Sequence, residues 1–218
     1  SAQKLLIIGG GPVGVELASE LCTHFKNKDI TLVHSKQTLV ERTPIKVQHY
    51  TQSFLEKHNV RILFQQKVIK SEKNMFITDK GKRIKVDLAF LCTGIVPHSY
   101  FMEKDLPSTL NDRSYIKVND FLQVDGYSHI FCAGDAAALS IEKTAQNAQK
   151  QAIIVAKNIC SLEKRKKLDS YSAEKTPMVI SLGKRKGIFF YKRFVLKGFI
   201  PGILKTLIEK KAMLPYWL

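Results

Sequence analysis

The chain opens on an apolar run, Lys4 to Ile8, that breaks into Gly9-Gly10-Gly11-Pro12-Val13-Gly14. Val13, Leu17, Leu21 and Phe25 then recur four apart, which predicts a helix. Ile30 to Val33 is a second buried strand. Strand, glycine turn, helix and strand make one βαβ unit, with parallel strands and a right-handed crossover. Pro44 opens a helix over roughly residues 45–57, whose Val47, Tyr50, Phe54 and Leu55 share a face. A strand over residues 60–64 follows. The period then falls toward two: short runs around Val68, over 75–78 and over 83–86 are split by Asp79-Lys80-Gly81. That pattern predicts an antiparallel hairpin or meander where a third helix would otherwise stand. Asp87 to Cys92 returns to a buried strand and ends in Thr93-Gly94.

Beyond it, residues 96–113 are polar and irregular and read as a linker. Residues 115–124 have strand character, and Ile130 to Ala133 is a short buried strand ending in Gly134-Asp135. A helix is predicted from about Thr144 to Ser161, with Ala148, Ala152, Val155, Ala156 and Ile159 facing inward. A basic connector, residues 163–167, leads into a tail that mixes strand-like segments with lysines and arginines. The expected fold class is α/β: a Rossmann-type domain with a parallel sheet plus a β-meander over residues 1–95, the linker, a second Rossmann-like portion over 114–162 and a small basic C-terminal region over 163–218.

The composition suits a globular protein. Hydrophobic residues make up 44% of 218, and no uninterrupted apolar run approaches the ~18 residues of a membrane span. The first residue is serine, which reads as a fragment or processed chain with any targeting signal upstream. Of the net charge of +16, +10 falls in residues 163–218, with 14 basic and 4 acidic side chains. Nucleic acid, an anionic membrane and phosphate-bearing ligands all remain open as partners. Cys22, Cys92, Cys132 and Cys160 show no CxxC spacing and sit in apolar segments, so reduced thiols packing as small hydrophobes are expected.

Gly9-x-Gly11-x-x-Gly14 is weak on its own but follows a strand and opens a helix, the context a dinucleotide fingerprint requires. Gly9 makes the tight turn, Gly11 lets a pyrophosphate approach the backbone, and Gly14 permits close helix–strand packing. Amides at the helix start, near Pro12 and Val13, meet phosphate charge with a favourable dipole. At the end of the second strand an NAD-selective site carries Asp or Glu for the ribose 2′-hydroxyl. This chain has His34-Ser35-Lys36. Without the carboxylate, a 2′-phosphate meets no repulsion there, and Lys36, with Arg42, attracts it; use of NADPH as well as NADH is expected. Solvated loop residues are the competing reading of His34 and Lys36.

His129-Ile130-Phe131-Cys132-Ala133-Gly134-Asp135-Ala136-Ala137 is a short strand ending in an acid. The carboxylate can accept a sugar hydroxyl, Gly134 admits a cofactor, and the helix near Thr144 turns its positive end toward a flavin pyrimidine edge. A strand followed by an N-capping Asp fits the same residues, and the two readings stay open on the residues alone.

Together the motifs resemble the pyridine nucleotide–disulfide oxidoreductase superfamily. Within it they are most similar to the apoptosis-inducing factor 2 / ferroptosis suppressor branch, and more distantly to type II NADH dehydrogenases. The residues that carry this are GGGPVGVELASEL at Gly9–Leu21, ITLVHS at Ile30–Ser35, LCTGIVPHS at Leu91–Ser99 and HIFCAGDAA at His129–Ala137. The resemblance implies an NAD(P)H domain inserted into an FAD domain, with residues 114–162 as the returning FAD half. It implies that Gly134 and Asp135 meet the FAD ribityl–phosphate region, that Lys143, Thr144 and Ala145 approach the flavin, and that Thr93 and Gly94 lie near bound nucleotide. Glu16 matches the family's GxGxxGxE glutamate near the nicotinamide–flavin junction. Glu16 and Lys143 are thereby the groups nearest the chemistry. The family's first Gly-rich motif and any redox-active cysteine pair precede the inserted domain, and this chain starts at that domain. Alone it is expected to bind pyridine nucleotide rather than to hold FAD tightly or turn over.

The activity so implied is FAD-dependent: hydride from NAD(P)H to flavin, then electrons to a membrane quinone. A reductase of the ferredoxin-reductase type is the near alternative. A basic fragment that binds nucleic acid or anionic membrane without turnover is the distant one, though no zinc-ligand spacing and no nucleic-acid reader motif is present. In the tail, Phe189, Phe190, Phe194, Phe199, Tyr216 and Trp217 interleave with Lys184, Arg185, Lys186, Lys192, Arg193 and Lys197. Pro201 is placed to start a short helix with Ile203, Leu204, Leu207 and Ile208 on one face and Lys205, Lys210 and Lys211 elsewhere. That is the pattern of a segment lying on a bilayer; a small β domain with an aromatic core is the competing reading, and the turn at Ser181-Leu182-Gly183 favours it in part. The expected location is cytoplasmic, with peripheral attachment at the cytosolic face of a membrane or at the mitochondrial surface.

Overall fold

A computed structural model describes residues 2–173 and 176–213, without the side chains of 209 and 211–213. The chain divides into two units, residues 2–94 with 176–213 and residues 95–175. The first begins with β1 (Lys4–Ile8), α1 (Pro12–His24), β2 (Asp29–Val33), α2 (Ile45–Lys57) and β3 (Arg61–Leu63), then β4 (Val68–Glu72), β5 (Met75–Thr78), β6 (Arg83–Lys85) and β7 (Leu88–Leu91). A four-stranded sheet runs in the order β3-β2-β1-β7, every pair parallel. β4, β5 and β6 form the expected antiparallel meander. Period-two side chains of β1 sort to opposite faces. Leu5 and Ile7 join Ile30, Leu32, Val15, Val47 and Leu55 under the helices, while Leu6 and Ile8 join Val33, Leu63, Ile84 and Val86 under the meander. Both faces are therefore covered, as a parallel sheet requires. Asp87 fastens one end of the sheet: its N–H donates to Lys4 O at 2.8 Å, and its Oδ2 accepts from the amides of Gln3 and Lys4 at 2.7 and 2.8 Å.

The inner face of α1 is not the row of residues that recur four apart. Val15, Ala18, Ser19 and Cys22 are buried, whereas Val13 and Phe25 are 67% and 45% exposed; Leu17 and Leu21 pack at the margin. Small side chains face the sheet because Gly14 brings the helix too close for large ones. Burial raises the Cys22 thiol to about 11.

In the second unit, residues 96–113 are not a free linker. Two 3₁₀ turns, Tyr100–Met102 and Pro107–Thr109, bury Ser99, Met102 and Thr109. Met102 packs with Ile116 and Val124, flanked by Leu106 and Leu110. No hydrophobic period marks the segment, because its buried positions, Pro97, Ser99, Met102 and Thr109, are irregularly spaced and half of them polar, while Val96, Tyr100 and Phe101 are exposed. Of the 115–124 stretch only β8 (Gln123–Val124) is a strand, paired antiparallel with β9 (Tyr127–Phe131); isolated bridges Leu110–Ile116, Ile116–Ala137 and Val118–Val124 hold the rest. The helix α3 (Ala145–Glu163) follows. Its expected apolar inner face is overturned. Asn147, Gln151 and Asn158 are the buried residues, and Ala152, Ala156 and Ile159 are exposed. The buried amides tie irregular backbone: Asn158 Nδ2 donates to Phe121 O and Asp169 O, and its Oδ1 accepts from Asp169 N at 2.8 Å. Loops without ladder partners need such side-chain partners, and amides supply donor and acceptor together. Cys160 is exposed, against the expectation of a packed thiol.

The chain then returns to the first unit as β10 (Met178–Leu182), β11 (Lys186–Tyr191), β12 (Phe194–Gly198) and α4 (Phe199–Met213). The three strands form one antiparallel sheet, order β10-β11-β12. Ile180, Leu182 and Ile188 enter the cluster that holds Val15 and Ala18, so this part of the basic tail is core. On α4, Pro201 is buried in the first turn rather than starting the helix, Leu204 is half-buried, and Phe199, Ile200, Ile203, Leu207 and Ile208 are exposed. Tyr216, Trp217 and the Lys211 side chain lie outside what is described. Among the described residues no helix is long and apolar enough to cross a membrane.

Candidate nucleotide site

The turn between β1 and α1 assigns a separate task to each glycine. Gly9 has φ +116°, and a Cβ there would stand 2.1 Å from Cys92 O. At Gly14 a Cβ would stand 1.9 Å from Gly9 O. Both are fixed by backbone contact. A Cβ on Gly11 would meet nothing within 4 Å, so its side faces open space and a phosphate group can close on the backbone there. Gly11 is the N-cap of α1, no side chain caps that end, and the first turn carries no acid. Pro12 has no N–H, so it donates nothing; Val13 and Gly14 hold the unsatisfied amides of the first turn. The helix start thus keeps its donors and dipole for an anion, which fits the pyrophosphate of a dinucleotide.

His34 does not face this opening. It is 8% exposed. Its Nδ1 accepts from Gly10 N–H at 3.0 Å, which puts the proton on Nε2, and Nε2 lies 3.2 Å from Glu41 Oε2. The loop after β2 is stitched to the glycine turn a second time, through Val40 N–H to Gly10 O at 2.9 Å. Val40 is buried at φ +46°, a conformation a β-branched residue adopts only under constraint. At the carboxyl end of β2 a shallow depression of about 450 Å³ is lined by Ser35, Lys36, Gln37, Thr38, Glu41 and Gln65. Lys36 is exposed within it.

Glu16, one turn into α1, is half-buried. Its Oε1 accepts from Ser181 N–H at 2.9 Å and from Lys205 Nζ at 3.1 Å. Thr93 and Gly94 are exposed at the end of β7. The Thr93 nitrogen would be 3.2 Å from a Cβ on Gly9, which places this pair beside the glycine turn.

In the second unit, Gly134 stands at φ +77° and its N–H donates to Gln151 Oε1 at 2.6 Å. Asp135 is exposed. Lys143 Nζ donates to Ala137 O and lies 5.0 Å from the centroid of Tyr115. Burial lowers the Lys143 pKa, against the opposing pull of Asp135 and Cys132. Thr144 caps α3, accepting from Asn147 N at 3.3 Å, and Ala145 is exposed in the first turn. This unit therefore brings Gly134, Asp135, Lys143, Thr144 and Ala145 around the start of one helix. Glu41, Val40, Gln65 and Gln151 were not legible as site residues. Glu41 lies seven residues past His34, and only the loop's return to the glycine turn brings it near; Gln151 sits in a polar run, Gln149-Lys150-Gln151, that does not single it out.

The family profile described as pyridine nucleotide-disulphide oxidoreductase matches residues 1–152. Ferroptosis suppressor protein 1 of Taeniopygia guttata is 34% identical over 198 residues, 86% of this chain and 53% of that protein. The protein of the same name from Mus musculus is 30% identical over 219 residues, 96% of this chain and 57% of that protein. The chain thus spans a little over half the length of these relatives. NDH2 from Plasmodium falciparum, solved in complex with NADH, shares the fold at a TM-score of 0.79 and 14% identity, over 96% of this chain and 62% of that one. A fingerprint turn open at Gly11, a parallel β3-β2-β1-β7 sheet and a profile that covers most of the sequence place this chain in the pyridine nucleotide-disulphide oxidoreductase family, whose cofactors are FAD and NAD(P)H.

Proposed function

We propose that this chain binds reduced pyridine nucleotide across the carboxyl ends of β1 and β2 and presents it for hydride transfer within an FAD-dependent NAD(P)H:quinone oxidoreductase. The observation that carries this reading is the open face at Gly11, set beside two glycines that backbone contact forbids to be anything else. A packing turn needs Gly9 and Gly14; it has no use for the third.

The amides of Val13 and Gly14 hold the pyrophosphate. Thr93 and Gly94 border the path from it along the sheet edge. Glu16, fixed by Ser181 and Lys205, keeps α1 in place beside the returning strands. Gly134, Asp135, Thr144 and Ala145 receive the flavin nucleotide, and the first turn of α3 turns its dipole to it. FAD, when bound, supplies the hydride acceptor and the electrons for the second substrate. Lys143 holds a proton at Nζ that its partly desolvated setting makes easier to release, and quinone reduction consumes protons. The quinone reading draws on the similarity to ferroptosis suppressor proteins. The exposed Phe199, Ile200, Ile203, Leu207 and Ile208 of α4, on a strongly basic segment, favour a peripheral membrane encounter, where such an acceptor resides.

Fluorescence titration of NADH into the purified chain tests the core of this. Saturable binding is expected, and Gly11→Val, which fills the open face, is expected to weaken it at least about tenfold with the fold intact. Equal binding by the variant overturns the assignment. Quinone-dependent NADH oxidation by the full-length flavoprotein, abolished by Lys143→Met, tests the acceptor; full activity in that variant removes Lys143 from the chemistry.

A further inference from the structure

We infer that Glu41 is a specificity-determining residue that accepts a hydrogen bond from the 2′-hydroxyl of the adenosine ribose, so that the site takes NADH in preference to NADPH. The inference rests on the nucleotide-binding reading above and fixes which nucleotide.

The end of β2 carries His34 where an acid would discriminate, and on that ground Lys36 pointed to a 2′-phosphate. The folded chain returns a carboxylate to the same place by another route. His34 is buried, its Nδ1 committed to Gly10 N–H, so its proton is on Nε2 and is offered to Glu41 Oε2 at 3.2 Å. One imidazole thus couples the pyrophosphate turn to the Glu41 side chain. The backbone on the amino side of Glu41 is also held: Val40 sits at φ +46°, its amide on Gly10 O and its carbonyl accepting from both the amide and the hydroxyl of Thr43. A buried valine in that conformation is a cost the loop sustains only when its surroundings enforce it, and such strain gathers at ligand clamps. It sets Glu41 facing outward.

Glu41 then lines the depression at the carboxyl end of β2, with a side chain 40% exposed and a second carboxylate oxygen beyond the one His34 engages. With the pyrophosphate on the first turn of α1, the adenosine of a dinucleotide crosses the end of β2. Its ribose diol meets a lining of Ser35, Lys36, Gln37, Thr38, Glu41 and Gln65, all polar. A diol donates to a carboxylate. A 2′-phosphate in the same depression is repelled by it, and Lys36, exposed on a flexible four-carbon stem, is the less fixed of the two charges. The carboxylate is held by buried His34, whereas the exposed Lys36 ammonium has no buried partner among the described residues.

The test is parallel fluorescence titration of NADH and NADPH into the purified chain and its Glu41→Gln variant, in one low-salt buffer. For the native chain NADH is expected to bind at least about tenfold tighter. In Glu41→Gln the ratio is expected to fall within about threefold, chiefly through tighter NADPH, while Glu41→Asp keeps NADPH excluded. The residue is half-exposed, and circular dichroism checks that both variants fold. A native preference for NADPH, or a Glu41→Gln variant that weakens both nucleotides equally, overturns the inference and leaves nucleotide binding standing. Failure of either nucleotide to bind the native chain overturns both.

Discussion

Gly14 lies so close to Gly9 that a Cβ on it would stand 1.9 Å from the Gly9 carbonyl oxygen. No rotamer relieves that contact, because both partners are backbone. Gly14→Ala therefore has to displace α1 from the sheet, and a loss of about 3 kcal/mol or more is expected in urea denaturation. Gly11→Ala, three residues earlier at an extended φ of −74° and ψ of −178° with open space at its Cβ, is expected to cost under about 1 kcal/mol. Comparable losses for the two variants would contradict this division of labour.

The Glu16 carboxylate ties the amino-terminal helix to the returning segment, on β10 and α4. Its Oε1 accepts from Ser181 N–H and Lys205 Nζ. Glu16→Ala strands a half-buried amide and should cost about 1–2 kcal/mol. The Glu16–Lys205 ion pair itself is part-exposed, side chains 26% and 29% accessible, and its coupling is expected to be under about 1 kcal/mol. Chemical denaturation of both single variants and the double variant isolates that coupling; a coupling energy well above about 1 kcal/mol would refute the assignment.

Asp87 gives the fold an acid limit. The amides of Lys4 and Gln3 hold its carboxyl below the ordinary carboxylate value of 3.8. A carboxyl that ionises more readily folded than unfolded contributes stability that is complete above the unfolded pKa and is lost as pH falls through the folded one. Native chain should lose stability more steeply than Asp87→Asn as pH falls below the ordinary carboxylate value of 3.8. Superimposable pH profiles would show that these amide bonds carry no weight.

The thiols should separate by reactivity. Cys22 is buried with its pKa raised to about 11, so only about a thousandth of it is thiolate at pH 8. Cys160 is exposed on α3. A thiol reagent at pH 8 is expected to modify Cys160 in the native chain and Cys22 only on unfolding, read by mass spectrometry of digests; prompt labelling of Cys22 in the native state would contradict its burial.

Much of the first unit was legible before folding. The run Lys4–Ile8, the glycine turn and the α2 span all appear where the pattern placed them, because each is a local signal and the sheet they build on is covered on both faces. The second unit was less so. Its loops are held by Asn147, Gln151 and Asn158 rather than by an apolar stripe, so periodicity pointed to the wrong face of α3. Residues 96–113 offer no period for a related reason: their buried positions, Pro97, Ser99, Met102 and Thr109, follow neither helical nor strand spacing.

The sequence by itself determined the βαβ turn, the spacing of its three glycines and the order of the elements, since these follow from steric rules that act within a dozen residues. Only the tertiary structure decided which face α1 buries, that the basic tail folds back to complete its core, and that His34 serves the glycine turn while Glu41 occupies the rim. Those outcomes depend on distances between segments far apart in the chain. A hydrophobic pattern specifies that a face is buried, but only packing selects what it is buried against.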